Sequence, residues 1–273
     1  MTFSVYLRGL LDEYANEGLS EYYIDQHLTD NTPLESFIDS WISGNEHRPV
    51  ALLADYGTGK SSAALHLSSW YAHRILSGEN GRVPILICLS DISNQQDLEG
   101  LLGKLFTNRV VVPGYSFPSF MEFNRNGRFV IFLDGFDEMK HAMTQDDLLW
   151  NISEIGRLVV PNSRVLLLGR PTVFLSKAEE DRILHGVTVR GRDVFRHDDA
   201  PDFQRVDLRG FTRDEARQFF EMYLAFQERK AAQQEGRAIN MDLVQDRLVE
   251  INSADIDHLI GKPVHSRMLA GNR

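Results

Sequence analysis

The chain has 273 residues, 42% of them hydrophobic, and a formal net charge of −10. This length fits one large domain, or one domain and a fragment, with enough apolar residues for a core. The acidic excess argues against broad binding to a nucleic-acid backbone.

Cys88 is the only cysteine, so an intrachain disulfide is excluded and a reducing compartment is favoured. The first residues carry acids early and lack a cleavable apolar leader. No apolar run approaches the ~18 residues that a membrane span needs. The sequence therefore predicts a cytoplasmic protein that has no membrane contact.

The front of the chain, residues 1–46, reads as a helical lead-in with helices over 3–15 and 33–43. The second helix has a recognisable start. Thr32 is expected to cap it, Pro33 to occupy its first position and Glu35 to complete a capping box.

Short continuous apolar runs alternate with helical patterns over residues 47–209. Because the runs do not alternate polar with apolar residues, they predict strands covered on both faces, as in a parallel sheet. The predicted strands lie at 50–53, 83–89, 128–134, 164–169 and 203–208. The predicted helices lie at 60–76, 95–107, 117–125 and 145–158. This alternation predicts a three-layer α/β core.

From Gly210 the pattern is helical, which predicts the start of a small helical domain over 210–273. Helices are expected at 213–231, 240–250 and 254–260, with another beginning near Pro263. The segment 186–202 is expected to be an irregular insertion or hairpin. Since the chain stops as a helix is starting, we expect a partial protein.

The stretch "GTGKSS" follows the first predicted strand and opens a helix, which is the setting of a phosphate-binding loop. Glycines allow the turn, and the amides at the helix start can bind phosphate. Lys60 would reach the outer phosphates, and Ser61 would offer a hydroxyl to Mg²⁺. The expected ligand-binding residues are Gly57, Thr58, Gly59, Lys60, Ser61 and Ser62. Ala54 stands where the usual motif has its first glycine, which matters only if that position needs a positive φ.

The stretch "FVIFLDGFDEM" is a buried strand that ends in acids. Asp134 lies at the strand's carboxyl tip, where ligands bind in open α/β sheets, and is the expected partner of Mg²⁺ beside Ser61. Asp137 or Glu138 would orient or deprotonate water. The alternative is a strand end whose acids only cap the next helix.

Arg170, in "LLLGRP", ends another buried strand and could contact a γ-phosphate. The alternative is that it only pairs with Asp134 or a loop acid. Tyr22, Tyr23 and Ile24 precede the core domain and could border a base.

Four stretches in order resemble the NACHT group of STAND-type P-loop NTPases: "LLADYGTGKSS", "FLDGFDEM", "LLLGRP" and "LRGFTRDEARQFF". The resemblance covers residues 20–270. It implies a P-loop NTPase with a five-stranded parallel sheet in the ASCE/AAA-like order. It also implies an ATP- or ADP-dependent switch with Mg²⁺ that self-associates in immune or defence signalling. "GKPVHSRMLA" resembles the helical-domain motif whose proline packs near the base, which gives that role to Pro263.

Two departures from the family pattern are visible. Ala54 replaces the first loop glycine, and the sequence ends before the winged-helix region, with no sensor or effector segment evident. The absence of an N-K-x-D stretch disfavours guanine, so ATP is the expected nucleotide. Catalysis of phosphoryl transfer depends on positioning, and activation of water would rest on Asp137 or Glu138. Slow hydrolysis is therefore predicted.

Two other functions stay open. One is a nucleotide-binding interaction module that never hydrolyses its ligand. The other is a nucleic-acid-directed ATPase, for which a loose basic strip offers a surface: Arg182, Arg190, Arg192, Arg196, Arg205 and Arg209. The acidic body and interspersed acids favour a solvated face instead. The histidines show no H-E-x-x-H spacing, so a zinc site is not expected.

Overall fold

The structure, a computed structural model, describes residues 1–45, 48–91, 97–109, 111–141, 143–190, 193–196 and 200–253. The predicted helices at 254–260 and near Pro263 lie outside these residues. The division of the chain into a lead-in, a core and a helical domain stays a prediction.

Five strands form one parallel sheet in the order β2-β3-β4-β1-β7. They are β1 (Val50–Leu53), β2 (Val83–Cys88), β3 (Phe129–Asp134), β4 (Val165–Gly169) and β7 (Gln204–Asp207). Each overlaps a predicted apolar run, and the order is the ASCE/AAA-like one expected of a P-loop NTPase. The predicted fold class is therefore confirmed.

Helices connect these strands and cover both faces of the sheet. The first group contains α1 (Ser4–Asn16), α2 (Leu19–Tyr22), α3 (Leu34–Ser43), α4 (Lys60–Leu76), α5 (Leu98–Gly103) and α6 (Phe117–Arg125). The second contains α7 (Phe136–His141), α8 (Gln145–Gly156), α9 (Lys177–His185), α10 (Arg213–Glu235) and α11 (Met241–Ser253). None of the helices that the structure describes combines the length and apolar character of a bilayer crossing.

Alternate residues of each central strand pack into opposite cores. On β3, Ile131 and Leu133 join the cluster under α1, α6 and α8, while Val130 and Phe132 join the cluster under α3 and α4. All four side chains are fully buried. This explains why the runs are continuously apolar, because neither sheet face is left to water.

Several local predictions were wrong in detail. Thr32 does not cap α3: its N–H donates to Asp30 Oδ1, and Pro33 is the N-cap residue without a side-chain cap. Glu35 contacts His66 instead of closing a capping box. Helices α7 and α9 were not predicted, and α10 continues to Glu235, beyond the predicted end at 231.

The insertion at 186–202 contains a two-stranded antiparallel hairpin, the form that the sequence left open. Its strands are β5 (Val187–Arg190) and β6 (Asp193–Arg196). This hairpin forms its own sheet and does not extend the main one.

A capping box joins helix α10 to the last sheet strand. The Thr212 hydroxyl accepts the Glu215 N–H, and the Glu215 carboxylate accepts the Thr212 N–H. Arg209, just after β7, donates two hydrogen bonds to the same carboxylate at 2.6 and 2.8 Å. These hydrogen bonds, opposed by partial burial, lower the pKa of Glu215 to about 2. One carboxylate thus fixes the angle at which α10 leaves the sheet.

We expect Glu215→Ala to destabilise the fold by about 1–2 kcal/mol at pH 7, because it removes a cap and a bidentate ion pair. The folded pKa lies below the ordinary 4.5, so this stabilisation is complete above pH 4.5 and disappears as the pH falls towards 2. Chemical denaturation at several pH values measures it. Glu221→Ala, which breaks an exposed pair on the same helix, should change stability by less than about 0.5 kcal/mol. An equal loss for both variants would contradict the account.

Candidate functional site

A cleft with a volume of about 240 Å³ opens at the carboxyl ends of β1, β3 and β4. One end is polar and the other apolar. The polar end is lined by Gly57, Gly59, Lys60, Ser61, Ser62, Asp134, Asp137, Glu138 and Arg170. The structure therefore brings together residues from three strand ends that the sequence had separated by more than one hundred positions.

The loop between β1 and α4 has the backbone of a phosphate-binding turn. Gly57 and Gly59 have φ values of 77° and 92°, a region that favours glycine. Ala54 has no such conformation, so alanine is accommodated there without strain. Gly59 caps α4 without a side-chain hydrogen bond, which leaves the first helical N–H groups available to an anion.

The Lys60 side chain folds back over this loop. Its Nζ donates to the carbonyl oxygens of Ala54 at 2.9 Å and Asp55 at 3.1 Å. Burial lowers the pKa of Lys60, while the carboxylates of Asp137 and Asp134 raise it. The ammonium group is thus placed in the cleft and is only partly hydrated, as an anion-binding cation should be.

Thr58 and Ser62 differ from each other in placement. Ser62 lines the cleft, whereas Thr58 is buried inside the loop, where its hydroxyl donates to the Asp55 carbonyl. Gln26, which also lines the cleft, holds the loop: its Nε2 donates to the carbonyls of Thr58 at 3.3 Å and Gly59 at 3.2 Å. The side chain of Thr58 therefore stabilises the loop and does not line the cleft, while its assignment to ligand binding stays a prediction.

Asp134, at the tip of β3, meets Ser61 at the start of α4. Burial raises the pKa of Asp134, as does the nearby Glu138 carboxylate, while hydrogen bonds from Ser61 and Gly135 oppose the rise. Gly135 has a φ of 84°, which lets the chain turn sharply after the strand. A carboxylate and a hydroxyl from two distant segments thus share one position at the sheet edge.

Arg170 and Asp137 contact each other in the cleft. Arg170 Nε lies 2.7 Å from Asp137 Oδ2, an ion pair in which the N–H is not aligned for a hydrogen bond. The Asp137 side chain is 5% exposed and that of Arg170 is 28% exposed. The sequence left Asp134 or a loop acid open as the partner of Arg170; the observed partner, Asp137, is neither, because it lies in the first turn of helix α7.

Glu138 lies beside this pair but is exposed at the cleft. It forms no ion pair with any residue in the described part of the chain. The two neighbouring acids therefore differ in environment: Asp137 is buried against a cation, and Glu138 is in contact with water.

The apolar end of the cleft joins the N-terminal segment to the region around α10. It is lined by Leu19, Tyr22, Tyr23, Ile24, Phe211 and Phe219. The sequence named Tyr22, Tyr23 and Ile24 as a possible border of a base. It missed Phe211 and Phe219, because nothing in a linear pattern shows that the α10 region returns to the first helices.

His66 supports the apolar wall from behind. Its ring stacks on Tyr23 with centroids 3.9 Å apart, Nδ1 meets the Tyr14 hydroxyl at 2.9 Å, and Nε2 meets Glu35 Oε1 at 2.5 Å. Asp25, Glu35 and His66 place ligand atoms within 4.8 Å of one another, a grouping that no sequence spacing indicated. Both ring nitrogens already have partners within the protein. We therefore interpret His66 as a residue that supports the Tyr23 ring.

Three of the six arginines of the predicted basic strip are paired with acids. Arg196 contacts Asp202, Arg205 contacts Glu180 and Asp207, and Arg209 contacts Glu215. Arg192 lies outside the described residues. Paired guanidinium groups have little charge left for a phosphate backbone, which favours the solvated-face interpretation.

The comparisons with known proteins do not name a family. No family model matches the sequence. An uncharacterized WD repeat-containing protein of Nostoc sp. is 26% identical over 200 residues, covering 71% of this chain and 13% of that protein. The chain thus spans about 13% of the length of this curated relative.

Two solved structures show a distant likeness. One is a Walker-type ATPase of Pyrococcus abyssi, with a TM-score of 0.43 and 13% identity, covering 86% of this chain and 63% of that one. The other is PCH-2 of C. elegans, with a TM-score of 0.34 and 16% identity, covering 81% of this chain and 48% of that one. Both TM-scores are below 0.5, so the P-loop fold is identified by the chain's own sheet order and loop geometry.

The raised pKa of Asp134 predicts that this carboxylate destabilises the ligand-free fold. Since the folded pKa lies above the ordinary 3.8, the cost is complete at neutral pH and vanishes as the pH falls through the folded pKa towards 3.8. We expect Asp134→Asn to raise the melting temperature at pH 7 without ligand, with a smaller gain at pH 4.5. Asp12→Asn, on the exposed side of α1, should leave it unchanged. A lower melting temperature for Asp134→Asn at pH 7 would refute the assignment.

Proposed function

We propose that the cleft binds ATP or ADP with Mg²⁺ and that the chain is the nucleotide-binding core of a slow ATPase. The observation that carries the proposal is the convergence of the Lys60 ammonium, the Ser61–Asp134 pair and the Arg170 guanidinium at one sheet edge. Open α/β sheets bind ligands at such an edge.

The phosphate loop supplies most of the anion recognition. The free N–H groups at the start of α4 face the cleft, and Lys60 adds a positive charge beside them. The carbonyls of Ala54 and Asp55 hold the ammonium until phosphate oxygens replace them as acceptors. Gln26 keeps the loop in its binding conformation.

Ser61 and Asp134 fit a Mg²⁺ ion. Both offer hard oxygen donors, which Mg²⁺ prefers. Burial makes the Asp134 charge unfavourable in the ligand-free protein, so a cation would relieve that cost. When bound, the ion neutralises charge on the phosphate oxygens.

The two acids after β3 suit different tasks. Glu138 is exposed at the cleft and can accept a proton from water or orient it. Asp137 is buried against Arg170 and is better placed to orient that guanidinium. Arg170 then contacts the terminal phosphate, so that positioning and charge supply the catalysis.

Aromatic and aliphatic side chains at the opposite end would receive the adenine base. Tyr23 and Phe219 contribute flat apolar surface there. Pro263, which the NACHT resemblance places near the base, lies outside the described residues. A base at this end would contact both the N-terminal segment and the α10 region.

A switch function follows from the placement of the base against the α10 region. We infer a STAND-type, NACHT-like regulator in which exchange of ADP for ATP changes how the α10 region sits against the core. Phe211 and Phe219 support this, because they line the same cleft as Lys60. A ligand shifts such an equilibrium only by its different affinity for the two states. The altered surface would then allow self-association, with WD repeats, recorded in the name of the Nostoc relative, as one form of sensor.

Two variants should distinguish loss of nucleotide binding from loss of hydrolysis. We expect Lys60→Ala to weaken ATP binding at least about tenfold, because it removes a charge from the phosphate site. Glu138→Gln should keep binding and lower phosphate release at least about 100-fold. Calorimetry and a phosphate-release assay measure both, and Lys230→Ala, an exposed lysine on α10, is the control. Binding without release by the wild type would instead support a non-hydrolysing module, and no binding would end the proposal.

The switch predicts a change of shape and assembly with nucleotide. We expect small-angle scattering and sedimentation to differ between saturating ADP and a non-hydrolysable ATP analogue, with larger particles in the second case. Lys60→Ala should give the same profile with either nucleotide. Identical wild-type profiles would contradict the switch while leaving the ATPase proposal intact.

A further inference from the structure

Tyr56 is an aromatic residue within the phosphate loop itself. It lies between Asp55 and Gly57, lines the cleft, and exposes 52% of its surface. Sequence analysis assigned no role to Tyr56, because it occupies a variable position of the loop motif.

The Tyr56 ring contacts Arg170. The guanidinium carbon of Arg170 lies over the ring, 4.7 Å from its centroid, which is within the range of a cation–π interaction. Two segments are joined by this contact: the turn after β1 and the residue that follows β4. Both lie at the polar end of the cleft.

Arg170 meets its two neighbours in this arrangement through charge and the ring face. Its Nε approaches Asp137 without hydrogen-bond alignment. The guanidinium forms no hydrogen bond with any residue among those described. An aromatic ring attracts a cation through the ring face and accepts no hydrogen bond from the N–H edge in the plane of the guanidinium. The edge therefore stays available to an oxyanion.

We propose that Tyr56 is a positioning residue that holds Arg170 at the cleft so that its N–H groups meet the terminal phosphate of a triphosphate. This inference rests on the proposed nucleotide site. It gives Tyr56 a specific consequence: the ring sets how strongly the protein prefers ATP over ADP, because only ATP carries the phosphate that Arg170 would contact.

The neighbouring carboxylate determines the direction of the effect. Without the ring, the guanidinium is free to rotate into full hydrogen bonds with Asp137, which is 2.7 Å away and buried. A bidentate pair with a carboxylate would occupy the donors that phosphate needs. Loss of the ring should therefore weaken triphosphate binding and leave diphosphate binding unchanged.

The test is calorimetric titration with MgADP and with a magnesium complex of a non-hydrolysable ATP analogue. We expect Tyr56→Leu to lower the ATP-over-ADP preference about two- to fivefold, the range of a partly exposed cation–π contact. Tyr56→Phe keeps the ring and should match the wild type. In an Arg170→Ala background, Tyr56→Leu should change nothing, because the ring then has no cation to hold.

The outcomes separate the inference from the function on which it rests. No binding of either nucleotide by the wild type would overturn the proposed function. Normal wild-type binding with an unchanged preference in Tyr56→Leu would overturn only the role of Tyr56. If Tyr56→Phe behaved like Tyr56→Leu, the hydroxyl and not the ring would act, and the inference would again be wrong. Tyr56→Gln provides a second ringless variant should the leucine variant fail to fold.

Discussion

The structure of the cleft depends on one desolvated cation. The Lys60 ammonium lies beneath its own loop and is bound to the carbonyls of Ala54 and Asp55. Those contacts keep the loop curled, so that the start of α4 faces the same space as the ends of β3 and β4. Burial makes the ammonium less stable than it would be in water, and an anion in the cleft is the partner that restores its favourable surroundings.

Opposite charges are held close together around this lysine without being fully neutralised. Arg170 approaches Asp137 without a hydrogen bond, and Asp134 is half-buried with a hydroxyl and an amide N–H as its hydrogen-bond donors. Each group is incompletely satisfied in the ligand-free protein. Incomplete pairing at one sheet edge is typical of functional sites, where stability is lower than the fold alone would allow. Elsewhere, as at Arg209 and Glu215, pairing is complete.

Local rules predicted the sheet and the phosphate loop, because continuous apolar runs and positive-φ glycines are properties of short segments. They were wrong at Thr32 and Glu35. The Glu35 side chain, which was expected to complete a capping box, contacts His66 of another helix instead. The local rules also missed Gln26 and Phe219, whose roles arise only when distant segments meet. The pairing of Asp137 with Arg170 is of the same kind: the sequence showed both residues but could not decide their contact.

Helix α4 fixes the length of the cleft. It carries Lys60 at its first residue and, six positions later, His66, which stacks on Tyr23. At about 1.5 Å per residue these points are ~9 Å apart along one rigid axis. The phosphate end and the N-terminal wall therefore cannot separate unless the helix bends. The wall formed by Phe211 and α10 packs on Tyr22 of that same N-terminal segment, so a ligand longer than this span would have to displace packed aromatic side chains at the apolar end.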